Sequence, residues 1–474
     1  MIHRKVVIVG AGPAGMSAAI AIANAGLHVT LIDENPLVGG QIYRRPPQTF
    51  KTNKLAQKDS VQQRGAELRS RLETLKDRIE LLTQASVWGI FPNKKITVTL
   101  NDGWEMISAE HLVLATGAYE YVPPFPGWTL PGVMTPGSAQ LMAKTMHVQP
   151  GKRILLAGTG PFLLVVASYL QQQGVEVVGI VETARIRDGL LALPRLLAEP
   201  GLLKQGWRYL RALKKAGIPI YRGHVILEAR GDDSVQEVVF APCDAEWFPD
   251  RSRPQTVQVD TLCVGYGFVP RTQLAQLAGC QVNFVNEQGG WIPTVDENLQ
   301  SSVPGIWIAG DGGGVAGAFV AELEGQLVGL TIANSVGEIS QSMFDQKRQP
   351  IMRRLAKLRR FRAAMDRISN IRGGLSSLAE DETMVCRCEE LKLDQINTSI
   401  AAGGTDIRTL KVMTRLGMGA CQGRMCWSAM CRHIANRTTR PVETIGPLSI
   451  RPPVKPVTLG TLAADSKLCK SAET

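Results

Sequence analysis

Lys5-Val-Val-Ile-Val-Gly-Ala-Gly-Pro-Ala-Gly15 decides the fold. The apolar run Val6 to Val9 passes directly into G-x-G-x-x-G at Gly10, Gly12 and Gly15, with Pro13 and Ala14 between the last two. Met16 to Ala25 reads as a helix of small residues, and His28-Val-Thr-Leu-Ile-Asp33 as the next strand. The three glycines serve, in turn, a tight bend, close approach of backbone to a pyrophosphate, and close packing of helix on strand. Asp33, with Glu34 beside it, stands about 20 residues on, where an acid accepts from a ribose hydroxyl. Strand, turn, helix, strand and acid in this order specify a βαβ dinucleotide-binding unit.

Two distant segments turn that reading towards FAD. Leu112-Val-Leu-Ala-Thr116-Gly117-Ala118 looks like the strand and turn that close the first nucleotide-binding portion of flavoprotein reductases. Ile306-Trp-Ile-Ala-Gly310-Asp311-Gly312 is similar to their late motif, whose aspartate contacts the ribitol or phosphate side of the flavin. Amides at the helix start after Gly317 then lie near the flavin, and Ala321 to Gly329 resembles the helix that follows. The rival is a single Rossmann enzyme with coincidental glycines.

A second βαβ unit opens at Lys152-Arg-Ile-Leu-Leu-Ala-Gly158-Thr-Gly160-Pro-Phe-Leu163 and ends at Glu182. Leu163 stands where a third glycine belongs and fills space that helix and pyrophosphate need. Glu182 remains as a ribose acceptor. The segment is therefore a nucleotide fold whose occupant, NAD(P), another nucleotide or none, stays open. Asp260 to Pro270 resembles the crossover that returns the chain to the flavin domain.

Near the C-terminus, Cys386 and Cys388 form C-x-C; after residues 389 to 420, Cys421 and Cys426 form C-x4-C. Two tight thiolate pairs suit a [2Fe–2S] cluster, in which each iron takes two protein sulfurs. Glycines around Cys421 let backbone N–H groups approach the cluster, and a following helix N-terminus favours its negative charge. Structural zinc and crowded free thiols are the alternatives. A disulfide is disfavoured because the N-terminus enters an apolar strand at once with no secretory pattern, which points to a reduced, cytoplasmic chain.

At 474 residues the chain is long enough for two or three domains, and no apolar run approaches a membrane span. Of the formal +11, a large share lies between Arg353 and Arg372, where eight cations face Asp366 alone. With no nucleic-acid motif beside it, that run reads as a solvated or partner-facing helix rather than a nucleic-acid surface. Residues 34 to 60 and 120 to 200 hold no cysteine, so a redox-active disulfide beside the flavin is unsupported. No H-E-x-x-H, G-x-S-x-G or Walker lysine is present.

Gly39-Gly40-Gln41-Ile42-Tyr43-Arg44, Ala115-Thr-Gly-Ala-Tyr-Glu120, Phe125-Pro-Gly-Trp-Thr-Leu-Pro-Gly-Val-Met134 and the Cys386–Cys426 module carry a resemblance over nearly the whole chain. It resembles the α subunits of bacterial opine oxidases and dehydrogenases and of D-hydroxyproline dehydrogenase, and the middle subunit of hydrogen cyanide synthase. The cysteine module is similar to bacterioferritin-associated-ferredoxin domains. That resemblance implies an FAD and [2Fe–2S] electron-transferring subunit. Substrate oxidation would fall to a β flavoprotein of amino-acid-oxidase type, beside a small ferredoxin-like subunit, with a peripheral link to the respiratory chain as one outlet.

The expected fold is α/β, a two-dinucleotide-binding-domain flavoprotein of glutathione-reductase type with a small helical [2Fe–2S] module. Residues 1–120 and 271–345 are expected to bind FAD, with a second nucleotide fold at 121–270. A basic linker helix at 346–380, the cluster module at 381–437 and a proline-rich tail at 438–474 complete the division; residues 51–80 read as an exposed amphipathic helix. The flavin residues are Gly10, Gly12, Pro13, Ala14, Gly15, Asp33, Glu34, Gly40, Gln41, Thr116, Gly117, Gly310 and Asp311. Tyr43 and Arg44 are offered as flavin-loop residues. Gly158, Gly160 and Glu182 are assigned to the second nucleotide, and the four cysteines to metal. The alternative function is a self-contained NAD(P)H-dependent FAD/[2Fe–2S] reductase.

Overall fold

The computed structural model describes residues 1–45, 60–100 and 103–464. Residues 51–59 of the expected amphipathic helix, and Cys469 in the tail, lie outside that range. The chain divides into two compact units: Met1–Tyr119 with Pro270–Arg359 and the chain from Ile450, and Glu120–Val269 with Arg360–Ser449.

In the first unit, β1 (Ile2–Val9), α1 (Pro13–Asn24) and β2 (Val29–Ile32) follow the order read from the glycine fingerprint. α2 (Ser60–Glu73) then gives way to β3 (Ile79–Leu82), so the helix expected over 51–80 ends early. The cause is tertiary: Ile79-Glu-Leu-Leu82 pairs in parallel with β2, and sheet pairing outweighs helical propensity. β4 (Ser86–Phe91), β5 (Lys95–Leu100) and the long β6 (Gly103–Leu114) complete the order β3-β2-β1-β6-β5-β4. β1, β2, β3 and β6 run parallel, and Ile306–Ile308 joins the last three residues of β6. The second half of β1, Val6 to Val9, is a Val/Ile run because it is buried on both faces; Val6, Val7 and Ile8 have no exposed surface.

α1 packs along the helix Ala318–Ser335. A Cβ added at Gly325 would stand 2.1 Å from the Ala14 carbonyl oxygen, and one at Gly329 2.5 Å from Ala21 Cβ. Small residues on both helices thus set their separation.

In the second unit, a parallel sheet runs in the order Ile220–Arg222, Glu176–Glu182, Arg153–Gly158, Thr261–Gly265, Val133–Met134. A three-stranded antiparallel sheet covers His224–Arg230, Glu237–Pro242 and Gln255–Gln258. The cysteine-bearing part adds a short hairpin, Met384–Cys386 with Leu391–Lys392, and the helices Leu393–Ala401, Ile407–Thr414 and Trp427–Thr438. The basic run is helical within Gln341–Ser369, but it is not wholly solvated. Within the second unit, its Ala364, Phe361, Met365 and Ile368 pack with Ala192 and Leu196, and Arg362 pairs with Asp366. No described helix is long and apolar enough to cross a membrane.

Candidate nucleotide and cysteine sites

The three glycines of the first turn meet different surroundings. Gly10 has φ +104°, and a Cβ there would lie 2.3 Å from the Ala115 oxygen; a Cβ on Gly15 would lie 1.8 Å from the Gly10 oxygen. These two permit the turn and the helix packing. A Cβ on Gly12 would find only Gly40 Cα, at 3.8 Å, so this backbone faces open space. The α1 N-terminus beside it has no side-chain cap, which leaves its first N–H groups for an anion. An uncapped helix start over an open glycine fits a dinucleotide pyrophosphate.

The other flavin motifs converge on this turn. Gly310, at φ +73°, faces Ala14, and a Cβ on Gly312 would lie 2.8 Å from Thr116 Oγ1. Thr116 Oγ1 donates to the Arg271 carbonyl at 2.7 Å, and Gly117 has nothing within 4 Å of its Cβ position. Asp311 Oδ1 accepts from the Ala316 and Gly317 amides at 2.9 and 2.8 Å, shaping the loop before the helix Ala318–Ser335. Asp33 is drawn into the turn itself: Oδ2 accepts from Ala11 N at 2.6 Å, and Oδ1 from Asn35 N and Nδ2, each at 2.8 Å. Glu34 pairs with Arg271 and Lys455, and Gln41 is exposed.

Tyr43 is a buried strut. Its hydroxyl donates to Glu322, and Arg64 closes on the same carboxylate with Nε at 2.7 Å and Nη2 at 2.6 Å. Burial, with Glu322 adding to it, raises the phenol well above its ordinary range. Nothing in the spacing of Tyr43, Arg64 and Glu322 announces this triad. Arg44 donates to Asn35 Oδ1 at 2.6 Å.

The second glycine turn is built the same way, but its surroundings differ. Gly158, at φ +141°, packs on the Gly265 oxygen, where a Cβ would stand at 1.8 Å. Leu163 is 1% exposed and belongs to the apolar core with Leu156, Val166 and Ile180. A Cβ on Gly160 would lie 3.4 Å from the Ser369 Cβ, so a neighbouring side chain lies near this turn. Glu182 is buried and accepts from Gly160 N at 3.3 Å and Ala184 N at 3.2 Å. Burial pushes its carboxyl up to about 7 despite those bonds. The acid read as a ribose acceptor is thus engaged with its own backbone.

The four cysteines come together as two couples. Cys386 shares a hydrogen bond with Cys426, and Cys388 with Cys421. The Cys426 bond, and the amides of Glu389, Gly417 and Cys388, bring the Cys386 thiol down to about 6, while the same bond and burial raise Cys426. Amides of Met425 and Gly423 reach Cys421. Gly419 is required by crowding, since a Cβ there would lie 2.2 Å from Cys388 Cβ. Cys386 and Cys426 are buried and Cys388 is exposed. Among the described residues no group of three or more His, Cys, Asp or Glu side chains is placed to hold one metal ion. Cys431 is buried apart, near the Gly446 oxygen at 3.7 Å.

The fold and its paired glycine turns define a flavin-dependent oxidoreductase of the dinucleotide-binding class. The pyridine nucleotide-disulphide oxidoreductase family model matches residues 4–325, and the sarcosine oxidase A3 domain model matches residues 380–466. More narrowly, the chain belongs to the family that holds the HcnB chain of hydrogen cyanide synthase and the A chain of opine oxidase. It is 36% identical to HcnB of Pseudomonas protegens over 95% of this chain and 96% of that one. The opine oxidase A chain of Rhizobium meliloti is 34% identical over 97% of this chain and 87% of that one. Among solved structures, L-proline dehydrogenase from P. horikoshii shares the fold at TM-score 0.68 and 22% identity, covering 98% of this chain and 80% of that one.

Proposed function

We propose that this chain is the FAD- and [2Fe–2S]-bearing, electron-transferring component of a heteromeric dehydrogenase acting on CH–NH or CH–NH2 donors. The observation that carries this reading is the division of four cysteines into two amide-lined couples on a flavoprotein-type chain. A two-iron centre requires that division, two sulfurs to each iron. The full-length similarity to components of hydrogen cyanide synthase and opine oxidase supports partner chains; in this reading they are a substrate-oxidising flavoprotein and a small ferredoxin-like subunit.

When bound, a flavin accepts electron pairs and a [2Fe–2S] cluster passes electrons singly. The protein's own contribution is positional. Gly12 and the start of α1 present backbone to the pyrophosphate, Asp33 holds the turn, and Asp311 shapes the loop towards the flavin. At the cysteines, amides of residues 388, 389, 417, 423 and 425 stabilise thiolate sulfur. A self-contained NAD(P)H reductase is the weaker reading, because Leu163 stands where a third glycine belongs and is committed to the apolar core.

Co-expression with neighbouring genes, followed by flavin and iron analysis and low-temperature EPR after dithionite, tests the proposal. The expected result is one FAD and about two irons on this chain, a reduced-cluster signal and co-eluting partner chains. Zinc in place of iron, with no EPR signal, would overturn the electron-transfer reading.

A further inference from the structure

The C-terminal segment is anchored in the first unit. Val454 is 4% exposed in the apolar core with Val9, Val87 and Leu274, and its N–H donates to the Trp88 carbonyl at 2.8 Å. That anchorage directs Lys455 onto Glu34, two residues past the end of β2. Arg271 Nη1 reaches the same carboxylate at 3.2 Å, while Arg44 bonds Asn35. Arg44, Arg271 and Lys455 all lie within electrostatic reach of Asp33, which takes the Ala11 N–H inside the glycine turn.

Three cations therefore share the rim of the flavin turn with two carboxylates, one of which is already engaged by backbone. Arg44 and Arg271 are close enough to repel each other. Arg271 Nε is buried and finds no acceptor among the described residues. Like charges held together with an unmet buried donor call for an anion. The dinucleotide proposed for this turn supplies one in its pyrophosphate.

We propose that Lys455, carried in from the C-terminal segment, is a nucleotide-binding residue that joins Arg271 and Arg44 in a cationic clamp on the phosphate-bearing adenosine half of FAD. This rests on the flavin reading above. The clamp makes tight flavin binding depend on residues more than 400 positions from the glycine turn, so the chain completes its flavin site only once Val454 has docked.

The test measures FAD affinity by flavin fluorescence on the full-length chain purified away from its flavoprotein partner and stripped of flavin, as wild type, Lys455→Gln, Glu34→Gln and the double variant. Thermal melting checks that Val454 stays docked. The clamp predicts about tenfold or greater weakening in Lys455→Gln, with a shallower salt dependence. The double variant should be equally weak, because the lost contact is to phosphate. Unchanged affinity in Lys455→Gln would overturn the clamp. So would recovery in the double variant, since Lys455 would then only neutralise Glu34. A wild-type chain that binds no FAD would instead bring down the flavin reading itself.

Discussion

The indole nitrogen of Trp128 donates to the carbonyl of Met384 at 2.6 Å, tying the Phe125-Pro-Gly-Trp128 loop to the strand that ends at Cys386. Arg387, between the first two cysteines, lies over the same indole at 5.9 Å. Gly127 is what lets the loop sit there, for a Cβ would meet the Ala229 oxygen at 1.9 Å. A loop noticed for its sequence is thus a brace for the cysteine hairpin.

Trp128→Phe keeps an aromatic ring but removes the donor with the five-membered half of the indole, leaving a carbonyl unpaired beside the hairpin. The expected cost is about 1–2 kcal/mol of stability. Under the proposed function, iron should also be lost faster to a chelator. Denaturant melts and the time course of visible bleaching would check both; identical curves for variant and wild type would remove the brace.

Cys386→Ser and Cys421→Ser each break one couple. Because both residues belong to the second unit and the flavin motifs to the first, the proposed function predicts that iron falls while flavin stoichiometry holds. Paired iron and flavin assays on the purified variants would show it. Joint loss of both cofactors would contradict independent sites.

Gly12→Leu should leave the fold intact yet weaken FAD binding about tenfold or more, since its Cβ would point into open space that the proposed function gives to pyrophosphate. Gly10→Leu should instead unfold the unit, because its Cβ would collide with the Ala115 oxygen at a positive φ. Circular dichroism with flavin titration separates the two outcomes.

Glu182 gives a pH dependence of defined sign. Its folded carboxyl holds its proton up to about 7, against an ordinary value of 4.5. The stability it contributes is therefore full below about pH 4.5 and is lost as pH rises through about 7. Glu182→Gln keeps an acceptor for the Gly160 and Ala184 amides without a charge to bury. The variant should gain on the order of 2–3 kcal/mol relative to wild type at pH 8 and little at pH 4. Melting temperatures across that range provide the measurement.

Arg64→Ala should cost more than Tyr43→Phe. Glu322 keeps its arginine when the phenol is lost, a change worth about 1 kcal/mol. Without Arg64 the buried carboxylate is left with one neutral donor, at a cost of about 3–5 kcal/mol. Denaturant midpoints of the two variants would rank them.

By itself the sequence determined both glycine turns, the parallel strands leading into them and the spacing of the four cysteines. These follow from local rules: glycine's access to positive φ, apolar runs for strands buried on both faces, and pairs of thiols close in the chain. What each acid and cation does was settled by tertiary structure. Asp33 and Glu182 both stand about twenty residues past a glycine turn and both accept from an amide of that turn, but Leu163 of the second turn is packed into the apolar core, and burial raises the Glu182 carboxyl to about 7. The coupling of Cys386 with Cys426 and of Cys388 with Cys421, and the placement of Lys455 beside Glu34, join residues far apart in the chain. Desolvation and charge pairing depend on which groups folding brings within a few ångströms, and no local pattern encodes that.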